Sequence, residues 1–123
     1  PMFSSLGLHD GPLTVYDLES LSRAPTTVIL PACDAGRASV RHGDELLGTA
    51  AALLQVGVRT VIAPVTVVPD AGVVPPLMEE LHRLILAGVA PAAALVRARQ
   101  ELARTLDDVQ AATAASFVAI GRC

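Results

Sequence analysis

The stretch from Thr26 to Gly36 has the sequence TTVILPACDAG, and the fold is decided here. Its apolar, largely β-branched run, Thr27 to Leu30, lies between two prolines and predicts a strand buried on both faces. The small residues that follow, ending in Gly36, predict an abrupt turn of the backbone. Cys33 therefore stands just after a strand, where ligands and chemistry collect in open α/β sheets.

The pattern leaves two interpretations of Cys33 open. A free cysteine is often a small, buried apolar residue, and a lone cysteine is only a candidate nucleophile. The second cysteine, Cys123, is far away in the sequence, so neither a disulfide framework nor a metal-ligand cluster is indicated. Reduced thiols fit a cytoplasmic protein.

The next elements predict a strand–helix–strand unit. Residues 37–42 form a polar connection, which we expect to be a flexible surface loop. A helix is predicted from Glu45 to about Val56, with Asp44 as its cap and Gly57 as its stop. A second buried strand, Arg59 to Val65, would complete a right-handed crossover.

The remainder of the chain predicts further helices and a closing strand. One helix begins at Ala71 or Val74 and ends near Ala87, with its two prolines in the first turn. Another runs from Pro91 to about Leu106, and a strand from Ser116 to Ile120 closes the sheet. Five polar residues of the Pro91 helix are expected to face outward: Arg97, Arg99, Gln100, Glu101 and Arg104.

Two short elements are predicted ahead of the central strand. Alternating apolar residues before Asp10 indicate an extended segment that ends in a turn. Thr14 followed by Asp17 resembles a helix-start capping arrangement and predicts a short helix that ends near Ser22.

Composition indicates one globular domain over residues 1–123. The chain is 52% hydrophobic and 17% charged, has a net charge of −3, and contains no lysine among its nine basic residues. Without a dense basic patch, we expect no direct contact with nucleic acid. No apolar run approaches membrane-spanning length and no signal peptide opens the chain, so a cytoplasmic protein is expected. Abundant Ala, Arg, Val and Pro suggest a bacterial source.

Sequence motifs then resemble a known family. PACDAG is followed by RHGDELLGTAAALLQVGVRTVIAPV, with DGPLTVYDL upstream and VPD, PLM and an FVxIG pattern downstream. In order and spacing, these motifs resemble the CHAT domain, whose hallmarks are a strand ending in S-A-C-x-[ST]-G, a G-D-E-x-x-G helix start and a strand opening with G-[AV]-R-x-V. The family is a caspase-like cysteine peptidase module, usually carried by proteins with tetratricopeptide repeats.

This resemblance implies a fold and an activity. The fold would be α/β and caspase-like (caspase-haemoglobinase), a three-layer arrangement with a largely parallel sheet flanked by helices. The activity would be that of a cysteine endopeptidase (a hydrolase, or protease) with Cys33 as its nucleophile, a polypeptide substrate, and neither cofactor nor metal. A thiol needs a base beside it, because few thiols are ionised at neutral pH.

In the family, the base belongs to a His-Gly pair at the end of an earlier strand. No such pair precedes Cys33 in this sequence. We therefore expect residues 1–123 to be the carboxyl-terminal part of a single CHAT domain, incomplete on its N-terminal side and inactive alone. Its partners would be the rest of that domain and possible repeat domains of the parent protein, with no membrane.

Three histidines are present, and each has a plainer interpretation. His9 lies in a predicted turn and is expected to be solvated. His42 forms the one His-Gly pair, but it follows the cysteine at a position where relatives commonly have proline; loop mobility could still bring it near Cys33. His82 is expected on the surface of a helix.

Two acids are candidates for substrate binding. Asp70 matches the acid of the family's V-x-D segment, which in the related separases lies near the pocket for a basic side chain before the scissile bond. Asp34 follows the nucleophile, as an acid often does in CHAT sequences. Either carboxylate would favour arginine or lysine in the substrate. The plainer roles are a helix cap for Asp70 and a turn residue for Asp34.

The sequence also departs from the family pattern. Pro31 replaces the usual serine, Ala35 replaces a small hydroxyl residue, and Thr66 stands where many members have tryptophan. These changes leave the substrate preference open and lend some support to an alternative, a catalytically dead CHAT-like protein-interaction module. A third alternative, an unrelated small α/β enzyme, would require a glycine-rich phosphate loop, and neither G-x-G-x-x-G nor G-x-x-x-x-G-K-[ST] occurs.

Overall fold

The computed structural model describes residues 5–8, 11–14, 17, 20, 23–31, 42–66 and 72–121. Its strands are β1 (Ser5–Leu8), β2 (Gly11–Thr14), β3 (Thr27–Ile29), β4 (Thr60–Pro64) and β5 (Phe117–Gly121). Its helices are α1 (His42–Gln55), α2 (Val74–Leu86), α3 (Pro91–Leu102) and α4 (Asp108–Ala115), and a short 3-10 turn follows α3 at Ala103–Thr105. None of these described helices is both long and apolar enough to cross a membrane.

A three-stranded sheet forms the centre of the described structure, in the order β3–β4–β5. β3 and β4 are parallel, with Ile29 opposite Ile62, whereas β5 runs antiparallel to β4. The predicted strand–helix–strand unit is therefore present, with α1 as its crossover. The antiparallel β5 makes the described sheet mixed. β1 and β2 form a separate antiparallel pair. The sequence pattern predicted the first of these two strands and missed the second.

Helices cover both faces of the sheet. On one face, Val61 and Ala63 of β4 pack with Ala50 and Leu53 of α1. On the other face, Ile62 belongs to a larger apolar cluster that includes residues of α2, α3 and α4. Every residue of β4 is buried. The α/β class is thus confirmed, and β4 has the largely apolar character of a strand enclosed between two layers.

α1 begins earlier than the sequence predicts. Its first residue is His42, so Asp44 lies within the first turn and is not the cap, and His42 does not belong to the preceding connection. An acid in the first turn is also favoured by the helix dipole, which explains why the pattern placed the boundary too late. Residues 37–41 lie outside the described residues. Gly57 ends the helix region with a φ of 111°, as predicted.

α2 agrees with its predicted pattern. It begins at Val74, one of the two predicted starts, and Pro75 and Pro76 lie in its first turn, where a missing N–H costs no intrahelical hydrogen bond. Gly88 follows the helix with a φ of 97°, the left-handed conformation that favours glycine. Leu77 and Leu81 lie four residues apart on one side of the helix, and both are buried.

One helix was not predicted. After α3 and the 3-10 turn, Asp107 starts α4 with a capping box. The Gln110 backbone N–H donates to Asp107 Oδ1 at 2.8 Å, and the Asp107 N–H donates to Gln110 Oε1 at 3.2 Å. The acid pair at 107 and 108 follows the preceding helical region, which ends at Thr105. It also begins a new helix, and the Asp-x-x-Gln spacing was the available signal.

Gly121 provides a stability test of the β4–β5 junction. Its φ is 117°, and a Cβ added there would lie 2.2 Å from the carbonyl oxygen of Arg59. We expect Gly121→Ala to lower the free energy of unfolding by about 2 kcal/mol or more, because backbone strain and overpacking add. Urea denaturation followed by circular dichroism measures this.

The matched control for this test is Gly88→Ala. Gly88 also has a positive φ, but nothing lies within 4 Å of its added Cβ. Gly88→Ala should therefore lower the free energy of unfolding through backbone strain alone, by about 1–2 kcal/mol. Equal losses at the two positions would show that the close approach to Arg59 is unimportant.

Candidate functional site

The carboxyl ends of β3 and β4 lie at one edge of the sheet, because the two strands are parallel and in register. The Leu30 N–H donates to the Ile62 carbonyl at 2.8 Å and extends the pairing by one residue beyond β3. Pro31 is then exposed. β4 continues to the buried Pro64, and Val65 and Thr66 are exposed. We call residues 30–31, 64–66 and 116–117 the strand-end rim.

The antiparallel β5 contributes its first residues to the same rim. Phe117 is opposite Pro64, and the Val65 N–H donates to the Ser116 carbonyl at 2.9 Å. The Phe117 side chain is fully buried in the cluster beneath α2, α3 and α4, whereas Val65 is 43% exposed. The rim is therefore supported from within by the buried ring of Phe117, and it is exposed to solvent at the end of β4.

Arg99 of α3 joins a helix to this rim. Its Nη1 donates to the Phe117 carbonyl at 2.8 Å, in a partly buried position. The prediction that Arg99 faces outward is wrong. It lies four residues after the buried Leu95 and next to Ala98, so helical spacing places it at the border of the apolar stripe. That spacing was the signal by which its partial burial could have been recognised.

α1 also begins on the rim side of the sheet. Its carboxyl end lies near the start of β3. Gly57, two residues after the helix, is close to Ala24, three residues before the strand: a Cβ added at Gly57 would lie 3.3 Å from Ala24 Cβ. Fourteen residues of helix span about 21 Å, enough to cross the strand length. The backbone of His42, the first residue of α1, is therefore directed toward the edge at which β3 and β4 end.

The predicted site residues Cys33, Asp34 and Asp70 lie outside the described residues. Along the sequence, Cys33 is two residues beyond Pro31 of the rim, and Asp70 is four residues beyond Thr66. The structure thus brings together the strand ends from which both segments leave. The roles of the three residues stay predictions.

Of the other two histidines, His82 belongs to the described residues and His9 does not. His82 is exposed on α2, as predicted, and its Nδ1 lies 2.6 Å from the Met78 carbonyl oxygen, so Nδ1 carries the proton in that hydrogen bond. α2 covers the face of the sheet opposite α1. His82 thus has a local structural role on its own helix.

The described architecture defines an α/β protein with helices on both faces of a small mixed sheet and a rim at its parallel strand ends. The family model of the CHAT domain matches residues 1–122. The chain belongs to the CHAT domain family, which is caspase-like. No curated protein and no solved structure gives a match.

Arg99 supplies a test of how the rim is held. We expect Arg99→Met to lower the free energy of unfolding by about 1–2 kcal/mol, because the Phe117 carbonyl loses a charged donor in a partly buried setting. Arg97→Met is the control, since Arg97 is exposed on the same helix, and should change stability by less than about 0.5 kcal/mol. Urea denaturation measures the stability of both variants. Equal losses would show that the Arg99 hydrogen bond to the Phe117 carbonyl does not stabilise the rim.

Proposed function

We propose that this chain is part of a cysteine endopeptidase in which Cys33 attacks the peptide bond. The observation that carries the proposal is the CHAT match over residues 1–122 together with a strand, β3, that ends just before PACDAG. The parallel pairing of β3 with β4 supports it further, since chemistry in α/β sheets is concentrated at such strand ends.

In the proposed reaction, the Cys33 thiolate forms a bond to the carbonyl carbon of the scissile peptide. The negative charge that develops on the carbonyl oxygen needs backbone N–H donors, and the Cys33 N–H is the first candidate. The C–N bond then breaks, and the amine leaves with a proton from the base. Water hydrolyses the resulting thioester and restores the thiol.

The base in this proposal is the histidine of a His-Gly pair in an earlier segment of a CHAT domain. No His-Gly pair precedes Cys33 in the 123 residues. His42 is the second choice, because the backbone of its helix begins on the rim side. His82 is unsuited, since it is exposed on α2 and hydrogen-bonded within that helix.

In this proposal, the complete domain has the caspase-like three-layer fold, with a sheet between two layers of helices. Helices on both faces of β4 agree with that arrangement. Within the described sheet, β3 pairs with β4 alone, so the opposite side of β3 can accept the strand that carries the base. On this reading the chain alone is inactive, and the whole domain is the enzyme.

The proposed substrate has arginine or lysine before the scissile bond. Along the sequence, Asp70 follows β4 and Asp34 follows the nucleophile, so both acids belong to segments that begin at the rim. A carboxylate near the nucleophile would pair with a guanidinium or ammonium group through charge-assisted hydrogen bonds. No bound metal or cofactor takes part in this mechanism.

The first test of activity substitutes the nucleophile. In protein that carries the His-Gly segment, we expect Cys33→Ala to lower kcat/KM for a fluorogenic arginine peptide by at least about 10⁴-fold, because the covalent step is lost. Cys123→Ala is the matched control and should retain activity. Iodoacetamide should inactivate the parent protein and the Cys123→Ala variant at similar rates.

The outcome of that experiment also tests the alternative. Retained cleavage by the Cys33→Ala variant would show that Cys33 is not the nucleophile. Absence of cleavage in the parent protein over a peptide library, with Cys33 unreactive, would favour the interaction module that Pro31, Ala35 and Thr66 suggest. In that case Cys33 serves packing only.

A second test concerns charge selection. We expect Asp70→Asn to lower kcat/KM about tenfold or more for a substrate with arginine before the scissile bond, and to have little effect on the same peptide with glutamine. Asp34→Asn, assayed in parallel, shows which acid makes the larger contribution. Asp108→Asn, at an exposed position of α4, is the control for the loss of one negative charge. Equal losses on both substrates would contradict a charge-pairing role.

A further inference from the structure

A groove of about 380 Å³ lies between α2 and α3. Its charged lining residues are Glu80 and Arg83 from α2, Arg97 and Glu101 from α3, and Arg104 from the 3-10 turn that follows α3. Leu84, only 8% exposed, contributes an apolar surface. The groove thus combines an apolar contribution with charges of both signs, three positive and two negative.

One of the three arginines is already neutralised within the groove. Arg83 forms an ion pair with Glu80, and its Nε donates to Glu80 Oε2 at 3.0 Å. This hydrogen bond lowers the pKa of the Glu80 carboxyl, and the nearby Glu101 also helps to raise the pKa of Arg83. Arg83 therefore has acidic neighbours on both helices, which satisfy its charge.

Arg97 and Arg104 differ from Arg83 in this respect. Both are exposed, and within the described part of the chain neither has an acid within ion-pair distance. They are seven residues apart on the same helical region, which corresponds to two turns and a separation of about 10 Å along the axis. Two guanidinium groups thus line one groove from backbone positions about two helical turns apart, without acidic partners among the described residues.

We propose that this groove binds an acidic peptide segment of a partner protein. Two carboxylates of the segment, about 10 Å apart, pair with Arg97 and Arg104, because guanidinium groups match carboxylate geometry. A neutral or basic residue between them faces Glu101. The spacing suits a helix with acids seven residues apart on one face.

The acids in the groove argue against nucleic acid as the occupant. A phosphate backbone carries closely spaced negative charge, and it would meet Glu80 and Glu101 as well as the arginines. The chain as a whole has a net charge of −3, which also opposes a polyanion. A peptide can place its acids at two positions only, so it fits this alternation of charge.

The groove is separate from the strand-end rim. Arg99 of the same helix is directed toward the Phe117 carbonyl at the rim, whereas Arg97 and Arg104 line the groove. The binding proposal therefore does not depend on peptidase activity. It can be tested by binding alone.

The experiment measures fluorescence anisotropy of labelled 18-residue alanine-based peptides with the full chain. One peptide carries glutamate at positions 5 and 12 with lysine between them, and its partner carries glutamine at both positions. We expect the glutamate peptide to bind at least about fourfold more tightly than the glutamine peptide at low salt. Each exposed arginine–glutamate pair should raise the affinity about two- to fivefold. The difference should shrink at 250 mM NaCl.

Variants then assign the binding to the groove. Arg97→Gln with Arg104→Gln should abolish the preference for the glutamate peptide, whereas Arg97→Lys with Arg104→Lys should keep part of it. The matched control, Arg23→Gln with Arg59→Gln, removes the same charge from exposed positions elsewhere and should leave the preference unchanged. Circular dichroism confirms that each variant is folded.

Three results would overturn the proposal. Equal binding of the two peptides by the wild-type chain would show that the groove has no affinity for spaced acids. Loss of the preference in the Arg23 and Arg59 control would indicate a diffuse charge effect. Displacement of the peptide by a 12-nucleotide single-stranded DNA at equal concentration would indicate a general polyanion surface.

Discussion

The complete burial of β4 is the constraint on which the described structure depends. All five of its residues, Thr60–Pro64, are buried, so the strand presents no face that water could solvate. Such a strand is stable only between two layers, with hydrogen-bonded neighbours on both edges. β3 and β5 supply the edges, α1 covers one face, and α2, α3 and α4 cover the other.

The position of the rim follows from that arrangement. A buried parallel pair must be joined by a crossover, and α1 provides it between β3 and β4. The crossover leaves both carboxyl ends at one edge. β5 then fixes that edge from the side, through Phe117 in the core and its carbonyl bond to Arg99. The segments that carry Cys33 and Asp70 start from a rim supported by the core.

Sequence periodicity predicted the elements that packing makes obligatory. β3, α1, β4, α2 and β5 have continuous or periodic apolar patterns with clear stops, such as Gly57 and Gly88, and all are present. The elements that were missed lack such patterns. β2 contains Pro12, which argues against a strand, and α4 is an eight-residue, alanine-rich helix defined chiefly by its capping box.

The candidate site was predictable in a different way. Burial and periodicity placed a cysteine after a strand, but they could not separate a packed thiol from a nucleophile. The resemblance to the CHAT domain favoured the nucleophile and suggested Asp34 and Asp70 for substrate binding, and these three roles stay predictions. Arg99 was missed because charge was taken as a sign of exposure, whereas its hydrogen bond depends on β5, which is distant in sequence.

α3 shows how one helix can serve two surfaces. Ala94, Leu95 and Ala98 are buried in the core, and the Arg99 bond to the Phe117 carbonyl ties the helix to β5. These contacts fix the rotation of α3 about its axis, so the core sets the backbone positions of Arg97 and of Arg104 in the turn that follows. When a partner binds those arginines, this chain orders only their side chains, because the backbone that carries them is already part of the helical region. The packing that supports the rim therefore also prepares the groove.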